Sequence, residues 1–415
     1  MKSAEYQGDI GPDGNLYPFK VAVRDGVNAE AVAMLSQTPH MEVTDPNDPT
    51  AQGALIRSKT KFKTPEEFAV FPHMMYVARV GVGVDNVNMK LASENGVATV
   101  NTPGASTAAV AQRVVALMHG WASRIVQGTQ ALRSHEWPKG DKNVEPIDLS
   151  EKTLGIIGYG RIGQEVRRRV EGAVGNVVFT DTNTDIEGRI ALDALLAHSD
   201  IISLNVAGND TILTEEKLRL LKPGALIINT ARGGVIDHAA LLRKMDEGAS
   251  AALDVFPTEK QEMFEDPIIS GIVGHPNFLG TPHTAASDPV TQKKLAKEAA
   301  ARMREFAREG IINPLNIPGH SLPNVSMDGT EDGGIVPGIR GVFLHRSVPG
   351  ALNAVTDCIA KRDINIHDLL NREGPDGLAA TVVHLDERDP QAALAILQCI
   401  NERLRPLRTR LLLYV

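Results

Sequence analysis

The sequence predicts an α/β protein: two doubly wound parallel-sheet domains followed by a small βαββαβ unit. Three observations predict it. From Lys20 onward, short apolar runs alternate with helix-period segments, the rhythm of parallel strands joined by crossover helices. Mid-chain, the apolar run Thr153-Leu154-Gly155-Ile156-Ile157 ends in Gly158, Gly160 and Gly163 and an amphipathic segment follows, which reads as strand, tight turn and helix. After a Pro-, Gly- and Asn-rich stretch at 310–337 that reads as a linker, the remaining residues follow a β-α-β-β-α-β pattern, a ferredoxin-like order.

Residues 1–18, rich in Gly, Pro and Asp, read as a loose leader. The first α/β unit has strands at 21–23, 41–43, 54–56, 76–80 and 97–100, with helices at 29–37, 65–71 and 87–95 between them. One long helical pattern, 106 to about 134, leads into the glycine-rich turn. Helix 161–174 and strand 177–180 follow the turn; later strands are 201–204, 225–228, 251–253 and 278–279, with helices at 191–198, 215–221 and 239–247. Helix 289–309 closes this part. The C-terminal unit reads as strand 340–345, helix 351–362, strands 364–370 and 378–385, helix 390–404 and strand 409–414.

The turn Gly158-Tyr159-Gly160-Arg161-Ile162-Gly163 fits a dinucleotide. The first glycine allows the turn, the second admits a pyrophosphate to the backbone, and the third lets helix and strand pack closely. The helix N-terminus then offers free N–H groups to the phosphates. Asp181 ends the next strand, close to the spacing of roughly 20 residues at which an acid binds the adenosine ribose. Its carboxylate accepts from the ribose hydroxyls and repels a 2′-phosphate, and Thr182 and Asn183 follow it without an arginine, so NAD is favoured over NADP. By contrast, Gly81-Val82-Gly83-Val84-Asp85-Asn86 has GxG but lacks the third glycine.

The remaining composition narrows the class. A chain of 415 residues holds two or three domains. A net charge of −8 argues against nucleic acid. The two cysteines, Cys358 and Cys399, are far apart in sequence and form no CxxC, which fits a reducing cytoplasm and no structural zinc; no metal is expected. The N-terminus lacks the apolar region of a secretory signal, and no apolar run approaches the ~20 residues that span a bilayer, so no membrane partner is expected.

In an open α/β sheet, ligands sit beyond the carboxyl ends of the strands. Arg232 follows strand 225–228, Asp254 follows strand 251–253 with Glu259 five positions on, and His283 follows strand 278–279. An arginine, an acid and a histidine are what oxidation of a 2-hydroxy acid requires. The histidine takes the hydroxyl proton. The acid fixes its tautomer, and the arginine binds the substrate carboxylate with a geometry that lysine lacks. His198 and His275 are rivals that fall at no predicted strand end.

These motifs resemble those of the D-isomer-specific 2-hydroxyacid dehydrogenases, and most closely the bacterial D-3-phosphoglycerate dehydrogenases that end in an ACT domain. The resemblance runs from about Lys20 to the C-terminus. It rests on Ile56-Arg57-Ser58-Lys59-Thr60, Gly81–Asn86, Gly158–Gly163, Asn229-Thr230-Ala231-Arg232-Gly233, Asp254-Val255-Phe256-Pro257-Thr258-Glu259 and Thr281-Pro282-His283. It implies a catalytic set of Arg232, Glu259 and His283. It adds Asn205, Val206, Ala207, Thr230, Ala231 and Asp254 to the NAD contacts, Asp254 holding the nicotinamide carboxamide. The N–H groups of Val82 and Gly83 are implied to bind the substrate carboxylate, and Arg57, Ser58 and Lys59 the substrate phosphate. A flavodoxin-like substrate domain at 1–103 and 284–325, a Rossmann NAD domain at 104–283 and an ACT domain at 338–415 follow from the same resemblance, with a cleft that closes on ligand and a homotetramer, or else a dimer.

Departures from the family pattern fall at Ala111-Gln112, at Asn205-Val206-Ala207 in place of His-Val-Pro, at Lys260 in place of a proline, and at Thr284-Ala285-Ala286 in place of Ile-Gly-Gly. In the C-terminal unit His345, Gly350 and Asn365 match a serine-binding effector motif, while Ser347 replaces an asparagine. The function these features point to is NAD-dependent oxidation of 3-phospho-D-glycerate, with L-serine as effector. The alternatives are a reductase of an unphosphorylated 2-oxo acid (hydroxypyruvate, glyoxylate or 2-oxoglutarate) and a non-catalytic NAD-sensing regulator, which the intact Arg232, Glu259 and His283 argue against.

Overall fold

The structure, a computed structural model, describes residues 4–310, 314–318 and 336–415. The chain divides into two compact units, Met1–Ala105 with Gln292–Val415, and Ser106–Thr291.

In the first unit, β1 (Tyr6–Ile10) and β2 (Leu16–Tyr17) form an antiparallel hairpin where the sequence predicts a loose leader. Then come β3 (Phe19–Val23), α1 (Ala29–Ser36), β4 (Met41–Thr44), β5 (Gly53–Ile56), α2 (Pro65–Ala69), β6 (Tyr76–Arg79), α3 (Met89–Glu94) and β7 (Ala98–Val100). Strands β3 to β7 build a parallel sheet in the order β4-β3-β5-β6-β7, a doubly wound arrangement. All four residues of β5 are buried, as expected of a strand covered on both faces. Helix α2 starts cleanly because Thr64 and Glu67 form a capping box and Pro65 fills the first turn.

The second unit contains α4 (Thr107–Ala122), α5 (Ile125–Arg133), β8 (Thr153–Ile157), α6 (Arg161–Val170), β9 (Asn176–Thr180), α7 (Leu192–His198), β10 (Ile201–Leu204), α8 (Glu215–Arg219), β11 (Leu226–Asn229), α9 (His238–Asp246), β12 (Ser250–Leu253), α10 (Pro267–Gly274) and β13 (Phe278–Gly280). Its parallel sheet runs β13-β12-β11-β10-β8-β9, so the winding direction switches between β8 and β10. The helical pattern at 106–134 is two helices, not one. Arg124 adopts a left-handed conformation (φ 53°) between them, and its guanidinium lies over the Trp121 ring. Helix α6 ends four residues before position 174, ahead of Gly172 at φ 76°. Helix α10 is an addition, started by Asp266 capping the Ile268 N–H and by Pro267 at its first position.

Helix α11 (Pro289–Glu309) buries Leu295, Ala296, Ala299, Ala300, Met303, Phe306 and Ala307 in the core of the first unit. The following stretch is not all linker. The Leu315 N–H donates to the Thr99 carbonyl, Asn316 bonds Ser93, Val97 and Thr99, and Ile317 is fully buried. Positions 319–335 lie outside the described residues.

The C-terminal part runs β14 (Gly338–Arg346), α12 (Ala351–Ala360), β15 (Ile366–Glu373), β16 (Leu378–Leu385), α13 (Pro390–Leu404) and β17 (Arg408–Tyr414). Its sheet order is β15-β16-β14-β17-β1-β2, so the N-terminal hairpin extends the C-terminal sheet. Arg410 fastens this junction. It donates to both oxygens of Asp9 at 2.7 Å, to the carbonyls of Phe306 and Ala307, and lies 4.4 Å over the Phe19 ring. Cys358 of α12 and Cys399 of α13 form a disulfide, their Cα atoms 5.8 Å apart. Their distance in sequence hides this, because packing the two helices on one sheet face brings them together. The bond removes the cysteines as grounds for a reducing compartment.

Candidate active site

Each strand of the second sheet ends in a residue singled out from sequence. At the switch point, Gly158 turns the chain at φ 88°, and a Cβ there would come within 2.7 Å of the Asn205 carbonyl oxygen. A Cβ on Gly163 would strike the Gly158 carbonyl at 2.2 Å, so only glycine lets α6 pack this close. A Cβ on Gly160 meets nothing within 4 Å, which leaves the helix N-terminus open to a pyrophosphate. Tyr159, next to it, stacks on Phe179 with ring centroids 3.7 Å apart, and Arg161 and Ile162 open the helix. The Asp181 carboxylate accepts from the N–H groups of Tyr159 (2.6 Å) and Asn183 (2.9 Å). Burial pushes its pKa up, but these bonds outweigh that and hold it below the ordinary carboxylate value.

Asn205, Val206 and Ala207 continue from β10, and Thr230 and Ala231 from β11. Asn205 Oδ1 and Thr230 Oγ1 are buried without a hydrogen-bond partner among the described residues. These orphaned polar atoms at the ends of β10 and β11, beside an open glycine turn and the Asp181 carboxylate, fit NAD.

Beyond β11, β12 and β13 the structure brings Arg232, Asp254, Glu259 and His283 into one cluster. His283 Nδ1 and Glu259 Oε2 are 2.6 Å apart and both side chains are about half exposed. His283 sits at φ 50°, a conformation uncommon for anything but glycine. Asp254 holds it there. The Asp254 carbonyl accepts the His283 N–H at 2.7 Å, and its buried carboxylate accepts from the Thr281 hydroxyl and from the N–H groups of Thr284 and Ala285. The Arg232 backbone is anchored by Asn229, whose side chain donates to its carbonyl at 2.8 Å.

The electrostatics follow from this packing. The hydrogen bond that His283 donates to Glu259 raises the His283 pKa; burial opposes this, while the charges of Glu259 and Asp254 reinforce it and that of Arg232 counters it. Burial alone would raise Glu259, but the bond and charge of His283, the Phe256 N–H and the Arg232 charge hold it low. The pairing therefore favours the carboxylate form of Glu259 and the protonated form of His283. The rivals are structural: His198 bonds the Ala194 carbonyl and His275 accepts the Asn277 N–H at the end of α10.

In the first unit, Arg57, Ser58 and Lys59 follow β5. Asp25 shapes this loop by accepting the N–H groups of Arg57 and Thr60 and the Thr60 hydroxyl, leaving Ser58 and Lys59 exposed. The Arg57 guanidinium donates to Gln292 Oε1 at 2.6 Å. Beyond β6, Thr102 and Asn101 bond the backbone of Gly81 and Val82, and the N–H groups of Val82 and Gly83 have no acceptor among the described residues. Two side chains here escaped the sequence reading. Arg79 ends β6, and the strand-end rule that found Arg232 also finds Arg79. Gln292 lies 235 positions from Arg57, with no local signal to link them.

The effector candidates divide. His345 is buried, with Nδ1 on the Arg346 carbonyl and Nε2 on Thr381 Oγ1, whereas Ser347, Gly350 and Asn365 are exposed. Among the described residues no cluster of His, Cys, Asp or Glu is placed to hold a metal, and no helix is long and apolar enough to cross a membrane.

The chain is 33% identical over 311 residues to hydroxypyruvate reductase of Thermotoga maritima, matching 99% of that protein and 71% of its own length. It belongs to the D-isomer-specific 2-hydroxyacid dehydrogenases. Residues 115–285 match the NAD-binding domain of that family. D-3-phosphoglycerate dehydrogenase of Methanocaldococcus jannaschii is 32% identical over 73% of this chain, which spans 61% of that longer protein. Among solved structures, a glyoxylate reductase from Paecilomyes thermophila superposes with a TM-score of 0.62 at 27% identity, covering 72% of this chain and 97% of its own. This member of the family is an NAD-dependent oxidoreductase of a small 2-hydroxy or 2-oxo acid.

Proposed function

We propose that this dehydrogenase oxidises 3-phospho-D-glycerate to 3-phosphooxypyruvate, the first step of L-serine biosynthesis. The observation that carries the phosphate is a pair of arginines at the carboxyl ends of adjacent strands. Ile56 is in register with Arg79, and Arg57 follows directly. Arg57 with Ser58 and Lys59 supplies charge and donors of the kind a phosphate dianion needs, and Arg79, bonded to the Val80 carbonyl, adds positive charge at the neighbouring strand end.

His283 is the general base. Neutral at its Nε2, it takes the C2 hydroxyl proton, and Glu259 on Nδ1 stabilises the imidazolium that results. Arg232 binds the substrate carboxylate and polarises the C2 oxygen. NAD+, when bound, supplies the hydride acceptor. Asp254 serves the nicotinamide carboxamide through the loop it orders, and Asp181 serves the ribose. Arg57→Ala is the test. It should raise KM for the phosphorylated substrate about tenfold or more while leaving turnover of unphosphorylated 2-oxo acids intact. Unchanged phosphoglycerate kinetics would remove the phosphate assignment. In that event reduction of hydroxypyruvate is the second reading, favoured by the relative that the chain covers almost entirely.

The β-α-β-β-α-β order and the pairing β15-β16-β14-β17 support an ACT-like regulatory domain at 338–415, beside a substrate domain at 1–103 and 284–325 and an NAD domain at 104–283. L-serine would bind at Ser347, Gly350 and Asn365, with the buried His345 positioning the strand. The exposed edge of β15 would pair subunits, giving a homotetramer or a dimer. Turnover measured with and without millimolar L-serine decides the effector; identical rate and affinity would leave the domain structural.

A further inference from the structure

We infer that a cavity at the amino-terminal edge of the first parallel sheet binds a small oxyanion of two or more charges, a phosphate or a polycarboxylate. The cavity has a volume of about 410 Å³ and lies where the α13–β17 turn meets the segments leading into β5 and β6. Its polar lining is Gln52, His73, Asn401, Arg405, Arg408 and Thr409. No Asp or Glu lines it. The carboxylate behind Gln52, that of Asp9, is already neutralised by Arg410. No Phe, Tyr or Trp lines it either.

The donors are placed but not consumed. Arg408 is oriented by two bonds, Nε to the Met74 carbonyl at 2.9 Å and Nη1 to the Leu407 carbonyl at 2.8 Å, which use two of its five N–H groups. Among the described residues, the side chains of Arg405, His73, Asn401 and Thr409 have no hydrogen-bond partner. Arg405 caps α13 at φ 49°, where glycine is the inexpensive residue. A guanidinium held at a cap that disfavours its side chain, lining an acid-free cavity with a second guanidinium, matches an oxyanion. The volume is that of a metabolite site.

The cavity is separate from the candidate active site. Gln52 and Met75 immediately precede β5 and β6, whereas Arg57 and Arg79 stand at the opposite, carboxyl ends of the same parallel strands.

Calorimetric titration of the full chain with inorganic phosphate and with citrate, at ionic strength fixed by potassium chloride, tests this. At least one probe should bind one equivalent in the millimolar range or tighter. Arg405→Gly, which suits the left-handed cap and keeps the fold, should weaken that binding about tenfold or more. Arg57→Ala should leave it unchanged. The inference is overturned if neither probe binds, if Arg405→Gly binds as the wild type does, or if Arg57→Ala abolishes binding and so places the anion in the substrate site. NADH-linked turnover by Arg405→Gly confirms that the variant is folded.

Discussion

His283 and Glu259 stand 2.6 Å apart, and that distance sets the proton state of each. With His283 as the proposed base, oxidation requires its neutral form, so the rate should fall as pH drops through the His283 pKa, which Glu259 raises; reduction would require the imidazolium and should show the opposite trend. Glu259→Gln removes the carboxylate charge. The acid limb of the oxidation profile should then move to lower pH, and kcat should fall on the order of tenfold to a hundredfold. A limb that stays in place would mean another group titrates. That Arg232, Glu259 and His283 come together was legible in sequence because each follows a strand of the same parallel sheet and so falls beyond its carboxyl edge. What sequence did not show was how they are held. The left-handed backbone at His283 and the bonds of Asp254 to the loop beyond it depend on contacts up to 31 positions apart.

At the level of elements, the parallel strands and their helices other than α10 were legible because their apolar runs are continuous and their turns carry glycine or a capping residue. The N-terminal hairpin was not. The β1 segment contains Gly8 and Asp9, looks polar, and finds its partner about 400 positions away. Asp9 is buried and bonded to Arg410, so what resembles a leader in composition is part of the core. Breaking that pair from one side leaves a buried charge unpaired. Arg410→Met should therefore cost roughly 3–5 kcal/mol in urea unfolding, and Asp9→Leu with Arg410→Met together should recover most of it. A single variant as stable as the wild type would show that the hairpin is held by its backbone pairing alone. The break at Arg124 was hidden for a related reason: neither glycine nor proline marks it.

At the level of the whole molecule, the chain builds its NAD-binding unit as one continuous segment inside a second unit formed from both ends. The expectation of a split unit around a continuous one came from the family resemblance, not from the local pattern of strands and helices. The disulfide and the burial of Ile317 were not legible, since both arise only when distant segments pack. Family membership establishes an NAD-dependent oxidoreductase of 2-hydroxy acids; the phosphate on the substrate rests on Arg57 and Arg79. The most direct measurement is kcat/KM for NADH-linked reduction of 3-phosphooxypyruvate against hydroxypyruvate, glyoxylate and 2-oxoglutarate. The proposed phosphate site predicts a preference for 3-phosphooxypyruvate of about a hundredfold. An equal or higher kcat/KM with any of the unphosphorylated acids would contradict it.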